Sequence, residues 1–476
     1  MHVAIIGAYG SAGVAAAETL AERVDPSDPS APLDRLTLID DGDPGGGLCI
    51  LRGCMPSKAV LSAAEHRYRA RHDDRLVGDP PELDLDRVVA SKDEHVSSFA
   101  AHRRAAVDEI ADRPGVRFRH ERARFVGLHE LALSGGDRLD ADYVVVATGS
   151  TLNVPDLPGI GEVDYADSAA VLDATELPDS GVVMGFGYVG IELSAYLAEA
   201  GVDLTVIEHD ERPLDDAPDA FGDELLELYR EEFGIEVLTE TSERSVEATA
   251  DGGVRLHTDR DDDRASVEAD ELFVFTGRRP DLDGLNLAAT PLAPGEGWVD
   301  ATMRAVDDES GRTYVVGDAN GRIPLLHVAK EQGYLAADNV LADIADDDLA
   351  EYDPITHRVL FSGAAVYPYA RVGHTAESAA EAGHDCVEVG RDAADDGVFA
   401  VKATPRGLAR LVVDADDGTV LGYQGLHLHA DAMAKTMQVL VERGADVREV
   451  PDRAYHPTTP EILDGLFRAA SERLPE

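Results

Sequence analysis

The chain has 476 residues, which is long enough for several domains that each bury a core. Its 93 aspartates and glutamates outnumber its 42 lysines and arginines, and the formal net charge is −51. Such a charge repels nucleic acid and anionic lipid, so we expect neither as a partner. The acidic residues are spread through well-patterned sequence, which indicates a folded protein with a halophile-adapted surface instead of a charged tail.

The start of the chain and its cysteine content indicate the cellular compartment in which the protein works. Met1 leads directly into an apolar strand without a basic leader or a cleavage site, and no apolar run is long enough to span a bilayer. Three cysteines in a chain of this length are typical of a reducing compartment, where a disulfide usually takes part in catalysis. The sequence therefore predicts a cytoplasmic protein without a membrane partner.

The first predicted element group is a strand, a glycine-rich turn and an alanine-rich helix, which is the setting of a dinucleotide-binding turn. The spacing is irregular, because Tyr9 adds one residue to the usual G-x-G-x-x-G pattern, and a plain helix-start turn is the alternative. The next strand ends in a carboxylate, a position that usually holds an adenosine ribose hydroxyl. The predicted contacts are Gly7, Gly10, Gly13 and Asp40.

Cys49 and Cys54 stand five residues apart at the start of a helix predicted from about Met55, with Pro56 in its first turn. Backbone N–H groups and a helix N-terminus favour a thiolate over a thiol, so the pair predicts a redox-active disulfide. A structural disulfide across so short a loop would gain little entropy. No second Cys/His cluster has suitable spacing, so no metal site is predicted. Lys58, one of five lysines, follows the pair directly, which indicates a function.

A long helix is predicted over residues 85–113, followed by short strands to about residue 139. A buried strand then ends at Thr148 and Gly149, where a turn of small residues lets the backbone approach a cofactor closely. An ordinary strand end is the alternative reading of this turn.

The second glycine motif is regular, because a strand leads into G-x-G-x-x-G and a helix. The following strand ends at Glu208, whose carboxylate accepts from an unphosphorylated ribose and repels a 2′-phosphate. NAD is therefore favoured over NADP, although the nearby His209 and Arg212 keep the phosphorylated form open. Two such motifs imply two dinucleotides. The predicted contacts of the second are Gly185, Gly187, Gly190, Glu208 and Gly277.

Further along, a predicted strand is followed directly by Gly317 and Asp318, and a helix is predicted to begin near His327. Asp318 can hold a ribityl hydroxyl, and the helix N-terminus can stabilise negative charge on a reduced flavin. His327 is equally well explained as a capping residue. From about residue 354 the pattern becomes α+β, with antiparallel strands predicted over residues 398–413 and a hairpin turn after them.

His456 and Glu461 bracket two prolines near the end of the chain. At this spacing the carboxylate can orient the imidazole and raise its basicity, which suits an acid/base pair. A lone surface histidine is the alternative, but the cysteine pair favours the chemical role.

With these motifs in this order, the chain resembles the class I pyridine nucleotide–disulfide oxidoreductases over essentially its whole length. This family includes dihydrolipoyl dehydrogenase, glutathione reductase and mercuric reductase. The cysteine stretch is similar to the family pattern GGTCxNxGCxPSK, with Leu48 and Leu51 in place of Thr and Asn. Residues 185–192 match GxGYIGxE, residues 317–318 match the flavin ribityl motif, and residues 456–461 match HPTxxE.

The resemblance implies an α/β fold with two Rossmann-like dinucleotide-binding domains, for FAD and NAD(P), and a C-terminal α+β dimerisation domain. The expected division is 1–155 and 283–350 for the FAD-binding parts, 156–282 for NAD(P), and 351–476 for the dimer interface. It also implies that Cys49 is the interchange thiol and Cys54 the charge-transfer thiol. Lys58 and Glu192 would pair beside flavin N5, and His456 and Glu461 would come from the partner subunit of a homodimer.

The implied reaction carries electrons from NAD(P)H through FAD and the Cys49–Cys54 disulfide to a small disulfide, or from a dithiol in reverse. Glu208 favours dihydrolipoyl dehydrogenase. The departures near the cysteines, together with Thr458 and Thr459, favour a reductase for a low-molecular-weight disulfide such as bis-γ-glutamylcystine. A mercuric reductase-like enzyme and a non-catalytic flavin-binding subunit are the alternatives.

Overall fold

The computed structural model describes residues 1–260, 263–453 and 455–475. No helix among them is long and apolar enough to cross a membrane. Their α-helices are α1 (Ser11–Ala21), α2 (Leu48–Leu51), α3 (Cys54–Arg71), α4 (Leu85–Ala111), α5 (Ser168–Asp173), α6 (Tyr188–Glu199), α7 (Asp219–Glu232), α8 (Leu326–Ala345), α9 (Ala376–Glu381), α10 (Gly397–Val401), α11 (Ala430–Glu442) and α12 (Glu461–Ser471).

The strands of the described residues are β1 (His2–Ile6), β2 (Arg35–Asp40), β3 (Val116–His120), β4 (Ala123–Gly127), β5 (Glu130–Leu133), β6 (Arg138–Asp140), β7 (Tyr143–Val146), β8 (Ser150–Leu152), β9 (Ser180–Met184), β10 (Asp203–Ile207), β11 (Glu236–Leu238), β12 (Ser242–Ala248), β13 (Val254–Arg260), β14 (Asp263–Ala269), β15 (Glu271–Val274), β16 (Arg278–Pro280), β17 (Thr313–Val315), β18 (His357–Leu360), β19 (Tyr369–Gly373), β20 (Cys386–Asp392), β21 (Leu408–Asp414) and β22 (Val420–Leu426).

The chain divides into two compact units, each assembled from three segments. Unit 1 comprises Met1–Pro56, Ala90–Asn153 and Arg278–Pro354. Unit 2 comprises Ser57–Val89, Val154–Gly277 and Ile355–Glu476.

Unit 1 is built on a parallel sheet in the order β17-β7-β1-β2-β3. Its central strands β1 and β7 are buried along their whole length, because a parallel sheet is covered on both faces. Helices α1 and α8 meet through small residues, and a Cβ on Gly333 would lie 2.3 Å from the backbone oxygen of Ala12. Because these strands are parallel, the carboxyl ends of β1, β7 and β17 lie at one edge of the sheet, as a dinucleotide-binding fold requires.

Unit 2 contains a second parallel sheet and two antiparallel sheets. The parallel sheet has the order β11-β10-β9-β15, and the antiparallel sheet β12-β13-β14 follows β11 in the chain. A five-stranded antiparallel sheet in the order β18-β19-β22-β21-β20 packs its apolar face against α11 and α12. The predicted fold class, two Rossmann-like sheets and a C-terminal α+β domain, is confirmed.

One local prediction is wrong. Antiparallel strands were expected over residues 398–413, but the strand β21 begins only at Leu408 and the first part of this segment forms α10. Asp396 caps that helix by accepting a hydrogen bond from the backbone N–H of Val398. A single helical turn with a buried Phe399 shows the same short apolar alternation as a strand, so the pattern alone cannot separate them. The predicted hairpin between β21 and β22 is confirmed.

Candidate active site

The two cysteines of unit 1 lie next to each other. Cys49 is in α2, and Cys54 is the first residue of α3, one position before the predicted helix start. Both are thiols in this structure, and their side chains are in hydrogen-bond contact. Gly53 permits the tight loop, since a Cβ there would lie 3.1 Å from the Cα of Cys49. The chain thus brings together two sulfurs that can open and close a disulfide.

The two thiols have different surroundings. The pKa of Cys49 is raised, first because its thiol donates a hydrogen bond to the Cys54 sulfur and second because Cys49 is buried. Cys54 instead lies at the N-terminus of the 18-residue helix α3, where the helix dipole favours a thiolate. The raised pKa favours the protonated form of Cys49, and the N-terminus of α3 is the group that would stabilise a negative charge on Cys54.

Two arginines of α4 hold the backbone near the loop that carries Cys49 and Cys54, which is called the cysteine loop below. Arg103 Nη1 donates to the backbone oxygen of Tyr9 at 3.3 Å, and Arg104 Nη1 donates to that of Gly45 at 3.0 Å. Burial lowers the pKa of Arg103, and the charge of Cys49 opposes that shift, so this guanidinium lies within electrostatic range of the sulfur. The sequence does not reveal the role of Arg103, because a residue inside a long helix carries no local signal of so distant a partner.

The first glycine turn has the geometry of a dinucleotide-binding turn. Gly7 has a φ of +92°, and a Cβ there would lie 2.2 Å from the backbone oxygen of Ala147. A Cβ on Gly13 would lie 2.2 Å from the backbone oxygen of Gly7, so both positions require glycine. Gly10 is the N-cap residue of α1, which leaves backbone N–H groups at the helix start for a phosphate.

The second glycine turn shows the same contacts at regular spacing. Gly185 has a φ of +94°, and a Cβ on Gly190 would lie 2.1 Å from the backbone oxygen of Gly185. Gly187 is the N-cap of α6, as Gly10 is of α1. The extra residue at Tyr9 therefore enlarges the first turn without changing which glycines make the close contacts.

Asp40 holds this enlarged turn in place. Its Oδ2 accepts from the backbone N–H of Tyr9 at 2.8 Å, and its Oδ1 accepts from that of Gly42 at 2.8 Å. Burial raises the pKa of Asp40. The Tyr9 ring is itself buried, 5.1 Å from the Phe118 ring centroid, and a Cβ on Gly45 would lie 2.2 Å from it. Each carboxylate oxygen keeps a lone pair for a ribose hydroxyl, although the expected ribose role is now shared with support of the turn.

The remaining predicted flavin contacts in unit 1 fit FAD. Thr148 Oγ1 is buried and has no hydrogen-bond partner among the described residues, and Gly149 beside it has a φ of +74°. Asp318 lies in a short 3₁₀ turn, and its Oδ2 accepts from Ser150 Oγ at 2.6 Å. His327 is the second residue of α8, so a helix N-terminus opens where the sequence predicted it. FAD would supply the missing hydrogen-bond partner of the Thr148 hydroxyl, and Gly149 beside it lets the cofactor approach the backbone closely.

In unit 2, acidic side chains surround the end of β10. Glu208 Oε1 accepts from the backbone N–H of Asp210 at 2.9 Å, and burial raises the pKa of Glu208. Burial alone would lower the pKa of His209, but its hydrogen bond with Glu243 and the neighbouring carboxylates outweigh burial and raise it. Arg212 is also engaged, in ion pairs with Glu211, Asp219 and Asp223. Gly277, with a φ of +85°, follows β15.

Lys58 and Glu192 form an ion pair within unit 2. Lys58 Nζ donates to Glu192 Oε2 at 2.6 Å and lies 4.4 Å from the ring centroid of Phe361. The second oxygen, Glu192 Oε1, accepts from the backbone N–H of Phe361 at 3.1 Å. The Glu192 side chain is only 13% exposed, so the pair is fixed in one arrangement.

His456 and Glu461 also meet within unit 2. His456 Nδ1 lies 3.0 and 3.2 Å from the two Glu461 oxygens, and the backbone N–H of Thr458 donates to Glu461 Oε1 at 3.0 Å. The Thr458 N–H, followed by His456, lowers the pKa of Glu461. The His456 side chain is 77% exposed, which leaves Nε2 accessible for proton exchange.

These features agree with the family to which the chain belongs. The profile of the pyridine nucleotide-disulphide oxidoreductases matches residues 1–333, and the profile of their dimerisation domain matches residues 361–466. The chain is a member of the pyridine nucleotide–disulphide oxidoreductase family. It is an oxidoreductase that acts on sulfur groups with FAD and NAD(P)H as cofactors.

Named relatives are similar along most of their length. Dihydrolipoyl dehydrogenase from Halobacterium salinarum is 29% identical over 458 residues, which are 92% of this chain and 91% of the relative. Mercuric reductase from Streptomyces lividans is 29% identical over 421 residues, 87% of this chain and 86% of the relative. The HOCl-induced flavoprotein disulfide reductase RclA from Escherichia coli shares the fold, with a TM-score of 0.81, 22% identity and coverage of 98% of this chain and 99% of RclA.

Proposed function

We propose that this enzyme uses NADH to reduce a small disulfide that carries carboxylates, such as bis-γ-glutamylcystine. The observation that carries the proposal is the cationic surrounding of the cysteine loop in a chain of net charge −51. Arg103 lies in electrostatic range of Cys49, Arg104 contacts the loop backbone, and the exposed Arg52 follows α2 directly. Guanidinium groups bind carboxylates by charge-assisted hydrogen bonds, so an anionic substrate suits this surface better than neutral lipoamide.

The proposed reaction is an exchange of disulfides. The chemistry that FAD supplies when bound is the relay of an electron pair from nicotinamide to a disulfide. With the pair reduced, Cys49 attacks one substrate sulfur, and the other sulfur leaves with a proton from His456. Cys54 then attacks Cys49 in the mixed disulfide, which releases the second thiol and closes the Cys49–Cys54 bond. Two electrons pass to the substrate in each cycle.

The raised pKa of Cys49 gives His456 a second task in this proposal. Because Cys49 keeps its proton in the reduced pair, a base must remove that proton before attack. His456, oriented by Glu461, suits this task and then returns the proton to the leaving thiol. We infer that it does so as part of a homodimer, since the family assigns a dimerisation domain to residues 361–466 and the His456 side chain is exposed on its own subunit.

The substrate proposal predicts a selective effect of Arg103→Gln. We expect the KM for bis-γ-glutamylcystine to rise about tenfold, because one charge-assisted contact to a carboxylate is lost. The KM for lipoamide should stay within twofold, because lipoamide has no charge for the arginine to bind. Steady-state kinetics with both substrates test this, with Arg124→Gln as a matched control on the exposed side of β4. Equal losses with both substrates would remove the support for an anionic substrate.

The coenzyme preference is a separate prediction. We expect kcat/KM to favour NADH over NADPH, because the carboxylates around Glu208 repel a 2′-phosphate and the nearby cations are already paired. In Glu208→Ala this preference should fall by about tenfold. The matched control is Asp203→Asn, at the exposed start of the same strand. A wild-type enzyme that prefers NADPH would contradict the proposal.

A second candidate function is dihydrolipoyl dehydrogenase, the reverse reaction on a dithiol. It is favoured by the relative of that name and by Glu208, which suits NAD. Oxidation of dihydrolipoamide by NAD⁺, compared with reduction of bis-γ-glutamylcystine by NADH, decides between the two. A kcat/KM at least tenfold higher for dihydrolipoamide would establish this second candidate.

A further inference from the structure

We propose that an open cavity in unit 2, separate from the predicted dinucleotide and cysteine sites, binds the phosphate group of a small organic anion. The cavity has a volume of about 350 Å³. It lies between the end of α3, the residues after α10 and the start of α11. Pockets of this size hold metabolites instead of single ions.

Positive charge dominates the lining of this cavity. Arg69, Arg75, Lys402 and two histidines line it, against the single carboxylate of Asp73. That carboxylate is already used, because both of its oxygens accept from the Arg75 guanidinium at 2.7 Å. Arg69 and His72 are likewise paired, with Glu65 and Glu232. Lys402 is therefore the lining cation left for an anionic ligand, in a chain with 93 acidic residues and five lysines.

An unpaired buried hydroxyl indicates a ligand. Thr404 is 3% exposed, and its Oγ1 is buried without a hydrogen-bond partner among the described residues. Buried polar groups are normally paired, so an unpaired one on a cavity wall calls for a partner supplied from outside the chain. A phosphate oxygen would accept the hydrogen bond that Thr404 Oγ1 can donate.

The start of α11 adds donors. His429 is the N-cap residue of this 13-residue helix, so backbone N–H groups and the positive end of the dipole face the same region. His429 Nδ1 lies 3.0 Å from Thr459 Oγ1, which leaves Nε2 as the second polar atom of the ring. Burial lowers the pKa of His429, and the charges of Lys402 and Arg69 add to the shift, against those of Asp431 and Glu65. A bound dianion would offset this crowding of cations.

The apolar part of the wall indicates an organic phosphate. Tyr68 and Leu428 line the cavity, so hydrophobic side chains lie beside the cationic groups. A phosphate carried on a small apolar or aromatic body would contact both surfaces at once.

The test is calorimetric titration of the full-length, FAD-loaded enzyme at constant ionic strength, with inorganic phosphate, phenyl phosphate and benzoate as probes. We expect phosphate to bind, phenyl phosphate to bind more tightly, and benzoate to bind more weakly than phenyl phosphate. No heat with either phosphate, or benzoate binding as tightly as phenyl phosphate, would overturn the proposal. Phenyl phosphate binding no more tightly than inorganic phosphate would overturn the assignment of an organic ligand.

Variants connect the binding to these residues. Lys402→Gln and Thr404→Val should each weaken phenyl phosphate binding about tenfold, whereas Thr404→Ser should retain it because the hydroxyl is kept. Lys435→Gln, which changes an exposed lysine within α11, should bind as the wild type does. Equal affinity in all four variants would show that the anion binds elsewhere. Disulfide turnover, measured in the same samples, reports separately on the proposed function.

Discussion

Cys49→Ser is expected to lower disulfide turnover by roughly 10³-fold or more, because the attacking sulfur and one half of the electron-carrying pair are lost together. Cys54→Ser should lose turnover to a similar extent, since the mixed disulfide at Cys49 can then no longer be resolved within the chain. The measurement is NADH oxidation with saturating disulfide. Reduction of the bound cofactor by NADH in the absence of disulfide should persist in both variants, which separates loss of the thiol relay from loss of the fold.

The third cysteine provides a matched control. Cys386 lies in β20, and its Sγ donates to the backbone oxygen of Ala376 at 3.7 Å. Cys386→Ser makes the same chemical change at a lone thiol, and we expect turnover within twofold of the wild type. If Cys49→Ser keeps wild-type turnover, electrons reach the substrate without the sulfur pair and the proposed reaction is wrong.

The same variants test the distribution of charge in the reduced pair. The Cys54 sulfur raises the pKa of Cys49 by accepting its proton and by its charge, in addition to burial. Replacing Cys54 by serine removes the negative charge, so the pKa of Cys49 should fall. The rate of alkylation of Cys49 as a function of pH should therefore have its midpoint at lower pH in Cys54→Ser than in the reduced wild type. A midpoint that does not move would contradict the coupling of the two thiols.

The parts of the site that sequence analysis identified depend on local geometry. Gly7 and Gly185 are needed because their φ values are positive and a neighbouring backbone oxygen fills the place of a Cβ. Such constraints act between residues a few positions apart or at adjacent strand ends, so they leave a short motif. The irregular first turn can be recognised from the sequence for the same reason, since Gly13 keeps its close contact with the backbone oxygen of Gly7 despite the added residue.

The features that sequence analysis missed depend on tertiary contacts. Arg103 is brought to Cys49 by the packing of a long helix, and no spacing rule links the two positions. The sequence assigns Asp40 to a ribose alone, because nothing in it shows that the backbone N–H groups of Tyr9 and Gly42 use the same carboxylate. Thr404 carried no signal at all, since an unpaired hydroxyl becomes visible only when its surroundings are known.

His456→Gln is expected to lower disulfide turnover by about 10²-fold to 10⁴-fold, which is the usual contribution of a general acid–base group. Glu461→Gln should cost less, about tenfold, because a neutral amide can still contact Nδ1 but no longer stabilises the imidazolium. Cofactor reduction by NADH should be unchanged in both. Turnover of His456→Gln within twofold of the wild type would make the histidine a surface residue without a chemical role.

Mixed dimers then decide which subunit supplies the histidine. If His456 serves the Cys49 of the partner, a dimer of one Cys49→Ser chain and one His456→Gln chain contains one intact site and one doubly altered site. Equal amounts of the two inactive chains, co-expressed and randomly paired, should therefore regain about a quarter of wild-type turnover. If both groups act within one subunit, every site in every dimer carries one alteration and no activity returns. Lys435→Gln co-expressed with His456→Gln supplies the reference activity, because half of all sites keep an intact histidine under either arrangement.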